Sequence, residues 1–262
     1  MSAAGEGQER DIALSVIVPA YNEEARLATT LPRIAEYMAA RGEAYEILVV
    51  DDGSSDATAE VARGQPQEQV SVLTLDRNRG KGAALRTGVL ASRGARVLLT
   101  DADLSTPIAE LERLEPLLTE APVVIGSRAS VDSRIDRAQP AHRQLMGKIF
   151  NRILHLLGLC TDFADTQCGF KLLDGDVARR LFRQLRIERF AYDMELLELA
   201  RFHGLEIREV GVQWIDSPAS KVRLVTDAAL MLRDAVGLAW RLRRMRRQRA
   251  RGAQPGPSTP AG

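Results

Sequence analysis

Two aspartates, Asp101 and Asp103, stand one residue apart at the end of a short apolar run, 95–100. Such a run, bounded by turn residues, predicts a strand that is buried on both faces. Ligands of open α/β sheets bind beyond the carboxyl ends of these strands. Two carboxylates there can share one Mg²⁺ or Mn²⁺, and that cation can neutralise the charge of a leaving diphosphate. The alternative interpretation is an acidic turn that caps the next helix.

Alternating strand and helix patterns must position these aspartates. The pattern predicts an α/β fold, with a Rossmann-like, mostly parallel sheet and helices on both faces. Strands are expected at 14–21, 46–50, 70–75, 95–100, 122–126 and 207–214. Helices are expected to follow each of the first four strands and to cover 143–157, 177–185, 193–203 and the chain from 224 onwards. Asn22 is expected to cap the first helix, and the polar segment 129–140 to form a mobile loop over the site.

Three predicted loops, 19–24, 51–56 and 101–105, meet at one crevice if the sheet is parallel. The first two carry carboxylates and amides, which suit a ribose diol and a nucleotide base. Asp51 or Asp52 could accept the imide N–H of a uracil. The third loop would supply the metal ligands. The alternative for Asp51 and Asp52 is a turn followed by a helix cap.

Arg79 and Lys81 add positive charge beside a glycine-rich turn, which suits phosphates or the edge of a base. The chain lacks the Gly-x-x-x-x-Gly-Lys-Ser/Thr pattern of a P-loop. It also lacks Gly-x-Gly-x-x-Gly after the first strand, which argues against a dinucleotide site.

Composition limits the class of protein. The chain has 262 residues, of which 45% are hydrophobic and 27% charged, an ordinary balance for a large α/β domain. The net charge of +1 gives no overall attraction to nucleic acid. Cys160 and Cys168 form no disulfide framework or metal-binding pattern, which fits a reducing cytosol. No apolar run reaches the roughly 20 residues of a membrane span. We therefore expect a cytoplasmic protein, at most lying on the inner face of the cell membrane.

The C-terminal segment has its own pattern. From Leu224 the apolar residues recur at helical spacing, and 241–249 is strongly basic. One interpretation is core packing over 224–239 with a solvated basic tail. The interpretation we favour is an interfacial helix over 238–249, with its arginines on anionic headgroups. The expected division of the chain is a disordered N-terminus at 1–11, a catalytic domain at 12–223, a basic amphipathic helix at 224–251 and a disordered tail at 252–262.

Three segments together resemble the signatures of family-2 inverting glycosyltransferases. They are Leu14-Ser-Val-Ile-Val-Pro-Ala-Tyr-Asn-Glu-Glu24, Val49-Val-Asp-Asp-Gly-Ser-Ser-Asp-Ala-Thr58 and Asp101-Ala-Asp-Leu104. The resemblance implies the A-type glycosyltransferase (GT-A) fold and a nucleotide-sugar donor bound through a divalent metal. Further segments resemble the branch that glucosylates dolichyl phosphate: 77–83, 126–128, 165–171, 192–195, 212–214 and 220–221.

The resemblance also implies roles for single residues. Asp51 and Asp52 would bind the nucleoside, in a pocket lined by Pro19, Tyr21 and Glu23. The residues that would hold the metal and the rest of the donor are Asp101, Ala102 and Asp103, with Arg79 and Lys81 beside them. Those that would hold the acceptor phosphate are Arg128, Arg143 and Lys221. Related mannosyltransferases carry Gln after Asp-x-Asp-Leu, where this chain has Ser105, and this departure weakens a mannose interpretation.

The acceptor decides which catalytic groups are needed. A phosphate whose second pKa is about 6 is largely ionised at neutral pH and can attack the anomeric carbon without a strong base. A sugar hydroxyl would need a carboxylate base. Asp193 is the candidate base, with a helix N-cap as its alternative role, and Asp165 is a second candidate. Asp103, beside the leaving group, completes the catalytic set.

The expected reaction is glucosyl transfer from UDP-glucose to a polyprenyl, dolichyl-type phosphate. The alternatives are a GDP-mannose or other nucleotide-sugar donor, or a sugar-hydroxyl acceptor in cell-envelope glycan synthesis.

Overall fold

A computed structural model describes residues 11–137, 147, 152–215 and 224–252 of the protein. A seven-stranded sheet forms its centre, with the strands β1 (Leu14–Ala20), β2 (Tyr45–Asp51), β3 (Val70–Thr74), β4 (Arg96–Leu99), β5 (Val123–Ser127), β7 (Lys171–Asp174) and β8 (Ile207–Gly211). The strand order is β3-β2-β1-β4-β7-β5-β8. Two short strands, β6 (Arg134–Arg137) and β9 (Gln213–Ile215), form a second sheet.

Helices cover both faces of the large sheet. They are α1 (Glu24–Arg41), α2 (Thr58–Arg63), α3 (Lys81–Ala91), α4 (Leu111–Leu114), α5 (152–156 where described), α6 (Gly175–Gln184), α7 (Tyr192–Phe202) and α8 (Leu224–Gly252). Single 3₁₀ turns flank α4 at Ile108–Glu110 and Glu115–Thr119.

Strand β1 shows why both faces are covered. Its side chains alternate between the faces, so Val16 and Val18 pack with α1 while Ile17 packs into the opposite core with α3 and α7. All three are fully buried. A strand that is apolar on both faces is stable only between two helical layers, as the sequence predicted.

The order of the strands defines the crevice. Strands β2 and β3 lie on one side of β1, and β4 lies on the other, all parallel to it. The strand order therefore reverses between β1 and β4, and ligands of such sheets bind at a reversal of this kind.

Strand β7 was not predicted. It runs antiparallel between β4 and β5, so the sheet is mostly parallel and not wholly so. Its four residues include Lys171, and a charged residue inside so short an apolar run hides the strand pattern.

The segment 207–214 and the expected loop 129–140 both need correction. The predicted strand breaks at Val212 and changes sheet, so that Gln213–Ile215 pairs with Arg134–Arg137. Four residues of the expected mobile loop are therefore strand, and 138–140 lie outside the described residues. Because the Ile215 N–H donates to the Ser105 carbonyl at 2.8 Å, the small sheet is attached directly to the loop after β4.

Helix α8 begins at Leu224, as predicted, but its apolar side faces the protein. Leu238, Ala239 and Leu242 are buried in the core, with Met245 partly buried beside them. The expectation that this side of 238–249 meets a membrane is therefore wrong. Lower down, Arg249 donates to the Phe202 carbonyl at 2.9 Å. In the part of the chain described, no helix has the length and apolarity needed to cross a bilayer.

Candidate active site

The loops after β1 and β2 are bonded to each other. The Asn22 N–H donates to Ser54 Oγ at 2.8 Å, and the Ser55 N–H donates back to Asn22 Oδ1 at 2.8 Å. Asn22 adopts a left-handed φ of 53°, which asparagine tolerates better than most residues. The prediction that Asn22 caps α1 is wrong, because Glu23 occupies the N-cap position and the Asn22 amide joins the two loops instead.

Asp51 and Asp52 are both buried but have different partners. Asp51 Oδ1 accepts the Ser54 N–H at 3.0 Å, and its Oδ2 has no hydrogen-bond partner among the described residues. Asp52 accepts the N–H groups of Arg79 and Gly80, one on each oxygen, at 2.8 and 2.7 Å. Asp51 thus keeps an acceptor for a ligand, whereas Asp52 fixes the loop before α3. Burial, partly offset by those two N–H groups, raises the pKa of Asp52.

Gly53 makes the close approach of these loops possible. Its φ is +68°, and a Cβ at this position would lie 2.5 Å from the backbone carbon of Arg77. Only glycine fits such a position. Nearby, Pro19 is half-buried near the end of β1, Ala20 pairs with Asp51, and Tyr21 after it is exposed. Glu23 is mostly buried and accepts from Arg26 at 2.8 Å.

Asp101 and Asp103 follow β4, as predicted. The Lys81 ammonium forms an ion pair with Asp101 Oδ1. Burial alone would lower the pKa of Lys81, but Asp101, Asp193 and then Asp103 outweigh it and raise this pKa. Asp101 therefore contacts Lys81 directly, and the charge of Asp103 also acts on this ammonium. Ala102 between them is buried, and its carbonyl accepts from Thr30 Oγ1 at 2.9 Å, which ties the segment to α1.

Gly169 lies directly against Asp101. A Cβ at residue 169 would sit 2.2 Å from Asp101 Oδ2. The polar loop before β7 thus forms the wall of the carboxylate site, and glycine is the one residue that leaves Asp101 in place.

The donor set fits a hard divalent cation that also binds its substrate. Asp101 and Asp103 offer carboxylate oxygens, the ligands that Mg²⁺ and Mn²⁺ prefer. Among the described residues, no three His, Cys, Asp or Glu side chains gather as a complete metal cage. Mg²⁺ is commonly held by one or two carboxylates plus substrate phosphates and water, so a two-carboxylate site matches a cation that arrives with a diphosphate.

Arg128 and Asp165 form a buried, bidentate ion pair. Arg128 Nε and Nη2 donate to the two Asp165 oxygens at 2.6 and 2.8 Å, and the N–H groups of Arg128 and Gln167 add bonds of 3.0 Å each. Although burial opposes ionisation, Arg128 lowers the pKa of Asp165 to about 2. A carboxylate with four hydrogen bonds and so low a pKa is a poor proton acceptor, so the geometry argues against Asp165 as a base.

The same pair orients Arg128. Its guanidinium lies over the Trp214 ring, 5.5 Å from the centroid, and its Nη1 edge has no hydrogen-bond partner among the described residues. Burial alone would raise the pKa of Asp101, but Lys81 chiefly, then Lys171 and Arg128, lower it. The charge of Arg128 therefore contributes to the positive potential at Asp101.

Asp193 is paired with Lys171. Both side chains are almost fully buried, and the Lys171 ammonium also donates to the Cys168 carbonyl. The alternative role of Asp193 as an N-cap is wrong, because Ala191 is the N-cap residue of α7 and Asp193 lies inside the helix. Burial raises the pKa of Asp193, against the opposing effect of Lys171.

The remaining predicted residues are less central. Arg79 forms an ion pair with Glu188 at the outer side of its loop. Arg143 and Lys221, the other two expected phosphate ligands, lie outside the described residues.

Sequence analysis included Gly169, Lys171 and Trp214 in segments that resemble the family branch but gave these three residues no role in the site. The available signal was Lys171 itself, because a lysine between Phe170 and Leu172 must have a buried partner.

Comparison with solved structures identifies the fold. The chain has the GT-A fold, with the carboxylate pair at the end of β4. Its backbone is similar to mannosyl-3-phosphoglycerate synthase from Rubrobacter xylanophilus, with a TM-score of 0.64, 21% identity, and coverage of 95% of this chain and 79% of that one. It is also similar to glucosyl-3-phosphoglycerate synthase from Mycobacterium tuberculosis, solved with Mn²⁺, UDP-glucose and phosphoglyceric acid, with a TM-score of 0.64, 20% identity, and coverage of 88% and 79%.

Sequence comparison gives the family. The sequence model of Glycosyl transferase family 2 matches residues 15–180, and the chain belongs to that family. It is 36% identical to the dolichyl-phosphate beta-glucosyltransferase of Homo sapiens over 257 residues, which cover 89% of this chain and 79% of the human one. It is 40% identical to the Drosophila melanogaster protein of the same name, over 80% of this chain and 69% of that one. The protein is therefore a hexosyltransferase.

Proposed function

We propose that the protein transfers glucose from UDP-glucose to a polyprenyl phosphate of the dolichyl type, with Mg²⁺ or Mn²⁺ at Asp101 and Asp103. Relatives named dolichyl-phosphate beta-glucosyltransferase that match most of this chain support the acceptor and the sugar. The donor is supported by Asp51 Oδ2, which has no partner among the described residues and can accept the imide N–H of uracil. The cation, when bound, would offset the charge that develops on the leaving diphosphate.

The arrangement of Arg128 carries this proposal. An anionic acceptor must approach an anionic donor, so a fixed cation is required between them. Asp165 holds the guanidinium by its Nε and Nη2 edge, leaving Nη1 for a phosphate oxygen. Arginine pairs phosphate in this way, and the Trp214 ring restricts its rotation. This arrangement supports an anion site at Arg128, whose charge also acts on Asp101.

The chain's own residues can support attack by a phosphate without a base. Asp165 is saturated with hydrogen bonds, and Asp193 is occupied by the Lys171 ammonium. A phosphate oxygen that is already ionised needs neither, since its pKa is about 6. Lys81 and Arg128 would then hold the charge of donor and acceptor while an acceptor phosphate oxygen bonds to the anomeric carbon and the bond to the leaving UDP breaks, which inverts the configuration at that carbon.

A thermal-shift panel tests donor and metal together. Each nucleotide sugar is added with Mn²⁺, with Mg²⁺ or with EDTA. We expect UDP-glucose with a metal to raise the melting temperature most, and the metal alone to raise it little, because two carboxylates hold a cation weakly. Larger stabilisation by GDP-mannose, or equal stabilisation in EDTA, would contradict the proposal.

Association with a membrane surface belongs to the same proposal, because a polyprenyl phosphate resides in a bilayer. With its inner side packed on the protein, α8 still exposes Leu232, Val236 and Trp240, spaced four residues apart on one line. Arg243 and Arg247 continue on the exposed surface of the helix. An apolar line followed by cations suits an anionic bilayer surface. This surface replaces the buried side that the sequence pattern suggested.

A further inference from the structure

Two adjoining cavities lie away from the paired aspartates, between α8 and the segment 183–189. The larger has a volume of ≈ 810 Å³ and is closed on another side by α3. The smaller has a volume of ≈ 690 Å³ and is closed by the loop 77–79. Since they share wall residues, we treat them as one feature, the arginine cavity, whose shared residues are Arg79, Arg186, Ile187, Glu188 and Arg241.

The walls of the arginine cavity are strongly cationic. They carry two acids, Glu188 and Asp234, against nine arginines: Arg77, Arg79, Arg86, Arg183, Arg186, Arg189, Arg233, Arg241 and Arg244. The protein as a whole has a net charge of only +1, so this excess is local.

Both acids in the cavity walls already form ion pairs with wall arginines. Glu188 pairs with Arg79, and Asp234 pairs with Arg233. Arg241 is bound from behind by the fully buried Glu195. Within the described parts of the chain, no carboxylate pairs with the other six arginines, Arg77, Arg86, Arg183, Arg186, Arg189 and Arg244. Six such cations around a concave surface focus a positive potential that an anion would relieve.

The cavity is fixed in place by α7. Both oxygens of Glu195 accept the Arg186 N–H, at 3.1 and 2.9 Å, and Oε2 also accepts the Ile187 N–H at 2.6 Å. Glu195 thus joins the segment 183–189 to Arg241 of α8. A buried carboxylate therefore fixes the shape of the cavity. A set of arginines on a free tail would lack this support.

The arginine cavity is separate from the candidate active site but adjoins it. Asp51, Asp101, Asp103 and Arg128 are not among its wall residues. The loop 77–79 connects the cavity to the candidate active site. It lines the cavity, and its Arg79 N–H donates to Asp52.

We propose that the arginine cavity is a second anion site, which binds a phosphate-bearing ligand at least as large as a diphosphate. Arginine binds phosphate oxygens in bidentate pairs, and the volume accommodates a ligand with several such oxygens. The ligand can be a soluble phosphate compound or the headgroup of an anionic phospholipid, since both offer the same chemistry.

Matched pairs of charge reversals test the site. The cavity variant is Arg183→Glu with Arg244→Glu. The control is Arg33→Glu with Arg180→Glu, which makes the same charge change at exposed positions of α1 and α6, outside the cavity and away from the outer surface of α8. Inorganic pyrophosphate is titrated calorimetrically in EDTA at physiological salt, so that the metal site does not contribute. We expect saturable binding that the cavity variant weakens by about tenfold or more and the control by about twofold or less.

Vesicles of phosphatidylglycerol and of phosphatidylcholine identify the source of the phosphate. If the cavity variant loses phosphatidylglycerol binding as well and the control does not, the site accepts lipid headgroups; if it loses pyrophosphate alone, the ligand is soluble. Equal losses in the cavity variant and the control, or no pyrophosphate binding by the unaltered protein, would overturn the proposal. The neutral pair Arg183→Gln with Arg244→Gln repeats the test should charge reversal prevent folding. Because neither residue contacts the paired aspartates, failure here leaves the thermal-shift result with UDP-glucose unaffected.

Discussion

The two halves of the site are stabilised by different interactions. In the donor half, the loops after β1 and β2 are joined largely by neutral hydrogen bonds such as Asn22 with Ser55, and Asp51 retains an oxygen for a ligand. In the other half, around β5, β7 and α7, buried ion pairs dominate, namely Arg128 with Asp165 and Lys171 with Asp193. The paired aspartates lie where the halves meet, beside Lys81 and Gly169.

The difference follows from what each half would bind. A nucleoside needs many directional acceptors and donors, which short turns provide through the backbone. A phosphate needs a cation in a fixed position. A buried arginine is fixed only when a carboxylate accepts hydrogen bonds from part of its guanidinium group. A substitution in the donor half should therefore abolish transfer with little effect on folding. A substitution in the half around β5, β7 and α7 should reduce both transfer and stability.

The largest effect is expected at the junction. Replacing Asp101 or Asp103 by Asn should reduce glucosyl transfer by about a thousandfold or more, because charge on the leaving diphosphate is no longer offset. The melting temperature without ligand should change little. Transfer is measured with radiolabelled UDP-glucose and a short-chain prenyl phosphate, with the exposed Asp176→Asn as control. Full activity in either variant would contradict the metal role.

Arg128→Ala should reduce transfer and also destabilise the protein. It leaves Asp165 buried without its partner, and breaking one side of a buried ion pair costs about 3–5 kcal/mol. Chemical denaturation measures the free energy of unfolding. The double variant Arg128→Ala with Asp165→Ala should recover part of that stability but none of the activity. Recovery of transfer in the double variant would show that Arg128 is needed only to neutralise Asp165.

The donor half was largely predictable from sequence. The apolar runs before Tyr21, Asp51 and Asp101 are long enough to identify strands, and parallel strands bring their ends together by topology alone. The roles of single residues were less predictable. Asn22 has the residue type of a helix cap, but the partner it finds, Ser55, is 33 positions away.

The other half could be predicted only in part, because its partners are remote in sequence and its strands are short. Lys171 lies in a four-residue strand and pairs with a residue 22 positions later. Asp165 and Asp193 both read as candidate bases, since a pattern of residue types does not show which cation faces a carboxylate. The side of α8 that packs inward was identified from its periodicity, but its partner was assigned wrongly, because a bilayer and a protein core select the same apolar residues.

Asp193→Asn separates a base from an ion pair. A general base contributes about 10²–10⁴ to the rate, so losing one would nearly abolish transfer. We expect a smaller loss, about tenfold or less, when the acceptor is a phosphate, because the nucleophile is already ionised. Stability should fall clearly, since the ammonium of Lys171 is left buried without its carboxylate. A rate loss of 10³ with a Kd for UDP-glucose that does not change would restore Asp193 as the base.

The smallest effect is expected on the outer surface of α8. Trp240→Ser removes the most exposed apolar side chain of the line Leu232, Val236 and Trp240. It should weaken binding to phosphatidylglycerol vesicles by about 1–2 kcal/mol and leave the melting temperature unchanged. Sedimentation with vesicles measures the bound fraction, and Ala229→Ser, exposed on the same helix, is the control. Truncation after Arg241 would be a less specific test, because it removes Leu242 and Met245 from the core. If neither Trp240→Ser nor Val236→Ser changes vesicle binding, α8 does not contact the bilayer through this line. Any attachment of the phosphate-binding half to a membrane is then made elsewhere.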